Sequence, residues 1–100
     1  MTETEFVRHA CDILDLNGFM VFPQNSYVRH KGTRYRNGTS DLIVMCPKGR
    51  FYSLELKTEK GTVKQSQLDM IEKFNERGFY DRYKIVRPSN LEIHIAEMLS

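Results

Sequence analysis

The sequence predicts an α/β fold in which a mixed central sheet is flanked by helices. Three observations predict it. Two stretches with helical periodicity, residues 3–16 and 64–77, bracket three short strand-like stretches. A turn, Pro47-Lys48-Gly49, joins two of those strands into an antiparallel hairpin. Residues 50–86 then read strand, helix, strand, a crossover that places its two strands parallel and right-handed. Antiparallel and parallel neighbours in one sheet make it mixed. The 100 residues support a single domain, 1–100, with a modest core.

The elements follow in order. Over 3–16, Phe6, Val7, Ala10, Cys11, Ile13 and Leu14 recur at steps of three and four, with Thr2 or Thr4 as cap and Asn17-Gly18 as stop. A first strand at about 19–28 is interrupted near Pro23. Residues 29–40, with two glycines and no aliphatic side chain, form a loop. Strand 41–46 is nearly all apolar, and strand 50–57 completes the hairpin. Helix 64–77 carries Leu68, Ile71 and Phe74 as its apolar stripe and stops at Gly78. Strand 83–86 is stopped by Pro88. Residues 90–98 form a helix capped by Ser89, or else a strand over Leu91 to Ile95.

Composition excludes several classes. Forty per cent apolar residues are too many for a disordered chain. No run of 18 apolar residues is present, so no transmembrane helix is expected. Met1 to Phe6 carries two glutamates and no basic residue, unlike a secretory signal, and a cytoplasmic protein of phage or bacterial type is expected. Cys11 and Cys46 lie in no zinc-like spacing and are expected to be buried free thiols in a reducing compartment. His9, His30 and His94 show no ligand spacing either.

Charge is unevenly placed. Residues 1–28 carry a net −3, residues 29–64 a net +6 and residues 65–100 a net −1. A basic middle third suits a polyanion held by its backbone. Arg29, His30, Lys31, Arg34, Tyr35 and Arg36 form its densest stretch, and Lys60 and Lys64 follow later. The basic side chains are expected on phosphates, with Tyr35 stacking or wedging at a distorted junction. No helix-turn-helix, zinc finger or aromatic-rich sheet is recognisable, so recognition by shape and charge is expected.

Chemistry is concentrated at one end of the hairpin. Along strand 50–57, Phe51, Ser53, Glu55 and Lys57 share one face, while Tyr52, Leu54 and Leu56 share the other. A carboxylate and an ammonium thus stand where a central strand favours apolar groups, a departure common at functional sites. Asp41 opens the neighbouring strand, and hairpin pairing brings it beside Glu55 or Lys57. Mg²⁺ takes oxygen ligands of this kind, one or two carboxylates completed by waters and phosphate, and Mn²⁺ accepts them too. Asp41, Glu55 and the backbone carbonyl of Leu56 are the candidate ligands. Lys57 is placed to lower the pKa of a water, to orient it, or to neutralise a phosphate. The implied reaction is metal-dependent hydrolysis of a phosphodiester.

These residues carry a resemblance. Gly38-Thr39-Ser40-Asp41-Leu42, then Glu55-Leu56-Lys57, then Gln67 in the next helix resemble the PD-(D/E)xK nuclease superfamily, most of all its VRR-NUC (virus-type replication-repair nuclease) family. That family's pattern is an acidic residue in a first helix, Gly-x-Pro-Asp-Leu, Glu-x-Lys on a strand, and a helical Gln. Glu5, Gly38 with Asp41-Leu42, Glu55 with Lys57, and Gln67 match it; Ser40 stands where the family usually has proline. The match runs from Glu5 to about Phe74.

The resemblance implies a restriction-endonuclease-like fold and an Mg²⁺- or Mn²⁺-dependent endodeoxyribonuclease. It implies a role for Glu5 in catalysis or metal binding, with Glu3 and Asp12 as competitors, and a positioning role for Gln67. Compact members of the family are similar to junction-resolving enzymes, which implies a homodimer acting on branched or duplex DNA such as four-way (Holliday) junctions. Leu91, Ile93, Ile95, Met98 and Leu99 offer a dimer surface, or pack within the chain. A flap or nicking nuclease, a non-catalytic DNA-binding module and a small-substrate phosphate hydrolase are the competing readings. The last lacks a glycine-rich phosphate loop.

Overall fold

The computed structural model describes residues 1–24 and 40–100. In chain order the elements are α1 (Glu3–Leu16), β1 (Met20–Pro23), β2 (Leu42–Met45), β3 (Phe51–Leu56), α2 (Gln65–Glu76), β4 (Tyr83–Val86) and α3 (Leu91–Leu99). The continuation of the first strand past residue 24, and the basic loop with Arg29, His30, Lys31, Arg34, Tyr35 and Arg36, lie outside the described residues.

Helix α1 begins at a reciprocal cap. The Glu5 amide donates to the Thr2 hydroxyl at 3.1 Å, and the Thr2 amide donates to the Glu5 carboxylate at 3.0 Å. Phe6, Ala10 and Leu14 repeat every four residues and are fully buried. The helix stops at Gly18, whose φ of 84° is open to glycine at little steric cost.

The four strands run in the order β1-β2-β3-β4, so chain order and sheet order coincide. β1 with β2 and β2 with β3 are antiparallel; β3 with β4 is parallel, as a helical crossover requires. Gly49, at φ 91°, closes the β2–β3 turn with its amide on the Cys46 carbonyl at 2.8 Å. The mixed sheet flanked by helices is the expected architecture.

Side-chain alternation divides the sheet into two unlike faces. Leu42, Val44, Tyr52, Leu54, Leu56 and Val86 meet α1 and α3 in one continuous core. Helix α3 is a helix and not a strand, because Leu91, Ile95 and Met98 recur at helical steps and are buried against the same core. Arg50 Nη2 donates to the carbonyls of Met98 at 3.2 Å and Ser100 at 3.0 Å, satisfying groups that a helix end leaves unpaired. The apolar residues of α3 are therefore used inside the chain, and only Ile93, 61% exposed, points outward among the large ones. Of the two readings of that segment, intrachain packing holds. Both cysteines are free, Cys46 buried and Cys11 half-buried.

The other face is different, and one expectation fails there. Of the expected apolar stripe Leu68, Ile71 and Phe74, the last two are half-buried, but Leu68 is 48% exposed, and the buried residue of that helix is Gln67. Helix α2 rests on β4 through Phe74, whose ring meets Tyr83 edge-on at 5.4 Å. The sheet beneath presents Ser53 and Glu55, and an aliphatic lid over an ionisable carboxyl is costly. Polar Gln67 is the residue turned inward instead.

Two substitutions separate the faces. Leu54→Ala, in the fully buried centre of β3, is expected to lower unfolding stability by about 2–5 kcal/mol. Leu68→Ala is expected to cost under about 1 kcal/mol, because half of that side chain already meets solvent. Urea denaturation monitored by circular dichroism measures both, and comparable losses would contradict the assigned faces.

Candidate metal centre

The β2–β3 hairpin builds the centre. Leu42 is paired with Leu54, and one further step of that antiparallel register sets Asp41 opposite Glu55 on the same face. Three contacts hold Asp41 there. Its Oδ2 accepts the Leu56 amide at 2.8 Å, and its carbonyl accepts the Gln24 amide at 2.7 Å. The preceding Ser40 is buried and donates its hydroxyl to the Leu42 carbonyl at 3.0 Å, so serine is accommodated at the family's proline position by a local hydrogen bond.

Glu55 is 5% exposed, and its Oε2 is buried without a hydrogen-bond partner among the described residues. Burial, then the adjacent Asp41 charge, push its carboxyl up to about 7. Lys57 works in the opposite direction, but its Nζ stands 3.7 Å from Glu55 Oε1, too far for a good hydrogen bond, and it is outweighed. Two carboxyl groups are thus held together, one with an oxygen that has no donor among the described residues.

The backbone contributes as well. The N–H and C=O of one strand residue point to the same side, and neighbouring residues alternate. The Leu56 amide points to Asp41, while the Lys57 amide points to β4 and donates to the Val86 carbonyl at 2.9 Å. The Leu56 carbonyl therefore also points to the Asp41 side. Asp41, Glu55 Oε2 and the Leu56 carbonyl are an all-oxygen donor set that fits a hard divalent cation. Among the described residues no group of three or more His, Cys, Asp or Glu could hold a metal ion. Two carboxylates with a carbonyl meet the ordinary requirement of Mg²⁺, which keeps its remaining positions for water and phosphate.

The remaining candidates are placed as follows. Gln67 is buried at the start of α2, with its Oε1 accepting the Lys64 amide at 2.8 Å. That leaves its amide N–H groups as donors for other contacts. Glu5 is not brought to Asp41 and Glu55: its carboxylate is exposed, and the bonds to Thr2 hold it below the ordinary carboxylate range. Lys60 and Lys64 are exposed, in the turn after β3 and at the start of α2.

Two features were not foreseen in the sequence. Tyr83 is buried on the Glu55 side of the sheet, in register with Ser53, and burial together with the Glu55 and Asp41 charges keeps its phenol protonated. Reading this required the β3–β4 register, which a four-residue strand does not reveal. The loop after Lys57 is tied down by Arg87 Nη1, which donates to the Thr58 carbonyl at 2.6 Å, and by Glu59, which accepts from the Ser89 amide at 2.5 Å and hydroxyl at 2.9 Å. These contacts span about thirty residues and leave no local signal.

With this geometry in place, the comparison with solved structures is decisive for the fold. A structure described as a "VRR_NUC domain" superposes with a TM-score of 0.70, covering 94% of each chain at 22% identity. The chain has a VRR_NUC fold. Neither a protein-family model nor a curated protein matches the sequence. At that identity the VRR_NUC likeness concerns architecture. Glu55 lies on β3, Asp41 immediately precedes β2, and Lys57 immediately follows β3. No described helix is long and apolar enough to cross a membrane.

The raised Glu55 carboxyl has a sign that can be checked. Between the usual carboxylate value and about 7 the folded protein binds a proton that the unfolded chain has lost. Metal-free stability should therefore fall as pH rises from 4.5 to 7 and then level off. Glu55→Gln should flatten that fall. Thermal melts in EDTA across this range test it, and an equal slope in both proteins would mean that Glu55 titrates normally.

Proposed function

We propose that this chain is a metal-dependent DNA endonuclease of the VRR-NUC family that hydrolyses phosphodiester bonds in branched DNA. One observation carries the reading: Asp41 and Glu55 face one another at the open end of a hairpin, with a buried carboxylate oxygen that has no donor among the described residues. Such a pair is unfavourable on its own and becomes favourable around a divalent cation. The likeness to a VRR_NUC domain supports it.

Asp41, Glu55 and the Leu56 carbonyl would hold Mg²⁺ or Mn²⁺. When bound, such an ion activates water and offsets charge building on the scissile phosphate. Lys57, on the same face and at the strand end, supplies a positive charge to the phosphate and orients the attacking water. Gln67 donates amide hydrogens toward a carboxylate or phosphate, and Tyr83 offers a neutral phenol from below. Lys60 and Lys64 lie beyond the strand end, where a DNA backbone leaving the site passes, and Arg29, Lys31, Arg34, Tyr35 and Arg36 supply the other basic contacts. A non-catalytic DNA-binding module has no need of a buried glutamate set against a half-buried aspartate, which disfavours that alternative.

Two kinds of branched substrate suit one centre per chain. A four-way junction needs two opposed cuts and therefore an isologous homodimer. A flap or nicked duplex needs one cut. The use of Leu91, Ile95 and Met98 inside the chain favours the second, because the surface first considered for a partner is occupied.

A cleavage screen on linear, flapped and four-way DNA with Mg²⁺ or Mn²⁺ tests the proposal. Asp41→Ala and Glu55→Gln should abolish cutting while the proteins stay folded, and Lys57→Ala should slow it by about 10²–10³. Wild-type rates in any of the three variants would refute the assigned centre. Sedimentation equilibrium in parallel separates the substrates: a monomer that cuts flaps and only nicks cruciform plasmids is no junction resolvase, whereas a dimer that linearises them in one encounter is.

A further inference from the structure

The face of the sheet that carries Glu55 continues, two residues back along β3, to Ser53 and then Phe51. There it opens into a groove of about 730 Å³ between the sheet and α2. Its floor is apolar and aromatic: Phe51, 52% exposed, Met70, Phe74 and Phe79, 57% exposed. Its rim is cationic. Lys73 and Arg77 line it from α2, Arg50 and Arg82 border it with their guanidinium groups held on α3 and on Tyr52, and among the described residues no Asp or Glu lines it. Lys73 and Arg77 stand on successive turns of α2, so their charges lie along one wall. Arg82 is held over the ring of Tyr52, 5.2 Å from its centroid, and donates to the Phe51 carbonyl at 3.3 Å.

We propose that this groove binds an unpaired strand of nucleic acid, its bases stacking on Phe51 and Phe79 and its phosphates on Lys73 and Arg77. Charge complementarity selects this occupant. A polyanion meets Lys73 and Arg77 and, among the described residues, no competing carboxylate in the lining. A second copy placed there by a twofold axis would set the same cations against one another. Exposed aromatic rings beside a line of cations are how proteins hold single strands without reading sequence, because every base has a face to stack. The groove also lies on the catalytic face, about 7 Å per two residues along the strand from Glu55. A strand seated in it leads directly to the cut. The inference rests on the nuclease reading and narrows its substrate to branched DNA with an unpaired arm.

Fluorescence anisotropy with a labelled oligo(dT) and with a blunt duplex of equal length, both in EDTA, tests the groove with the full chain. Phe51→Ala with Phe79→Ala, both on exposed side chains, should weaken oligo(dT) binding by about tenfold or more while duplex binding holds. Lys73→Gln with Arg77→Gln should lower the salt slope for oligo(dT) by about 1.4, the value for two lost single-strand phosphate contacts. Unchanged oligo(dT) binding in both double variants, with duplex binding intact, overturns the groove and leaves the nuclease reading standing. Absence of both oligo(dT) and duplex binding by the wild type overturns the two together. A dimer that the Phe51 and Phe79 substitutions dissociate, without change in oligo(dT) affinity, assigns the groove to a second copy and overturns the proposal.

Discussion

The rest of the site depends on one unfavourable interaction, the approach of the Asp41 and Glu55 carboxyl groups on the solvent-poor side of a hairpin. Nothing in the packing of a 100-residue chain requires it. The hairpin closes equally well with apolar residues at both positions, and burial of Glu55 costs stability once it is ionised. Several neighbours hold the pair in place nonetheless. The Leu56 amide fixes Asp41, the Ser40 hydroxyl and the Gln24 amide fix the backbone around it, and β4 fixes the far side of Lys57. Four separate hydrogen bonds keep this repulsive arrangement in place, as the proposed cation site requires.

The two faces of the sheet divide the labour. On one, α1 and α3 bury a continuous apolar core that carries the stability. On the other, α2 touches β4 through Phe74 and Tyr83 and leaves the rest of the face open. That division explains why Gln67, and not Leu68, is the buried residue of α2. A helix that covered its whole sheet face with aliphatic side chains would set them against the Glu55 carboxyl. Incomplete cover lowers the stability gained from α2 and leaves part of this face open.

Much of this was legible in the sequence, and the physical reasons are specific. The period of α1 and the alternation along β3 are local properties, so the buried Phe6-Ala10-Leu14 stripe and the opposed Leu54 and Glu55 faces could be read directly. Pro47-Lys48-Gly49 set the hairpin, and the hairpin set Asp41 opposite Glu55. On α2 only Leu68 departs from the expected stripe, because its helical spacing is the same whichever layer it meets, and spacing does not say how much of the layer is there. Glu5 was a site candidate by position in the motif, but with Thr2 three residues earlier it is also half of a capping box, and the cap is what forms. Tyr83 and the Arg87–Glu59 strap depend on pairings across the crossover, which no local pattern encodes.

The most direct test of the Asp41–Glu55 pair as a cation site is calorimetric titration of Mn²⁺ into the wild-type protein and into Glu55→Gln, at pH 6 and pH 8, in buffers of unlike ionisation enthalpy. With the Glu55 carboxyl pushed up to about 7, binding at pH 6 must displace its proton, and binding at pH 8 need not. The account predicts a single ion per chain, release of nearly one proton at pH 6 that disappears by pH 8, and loss of both tight binding and proton release in Glu55→Gln. Equal Mn²⁺ affinity in the two proteins, or binding at pH 6 with no proton released, would contradict it.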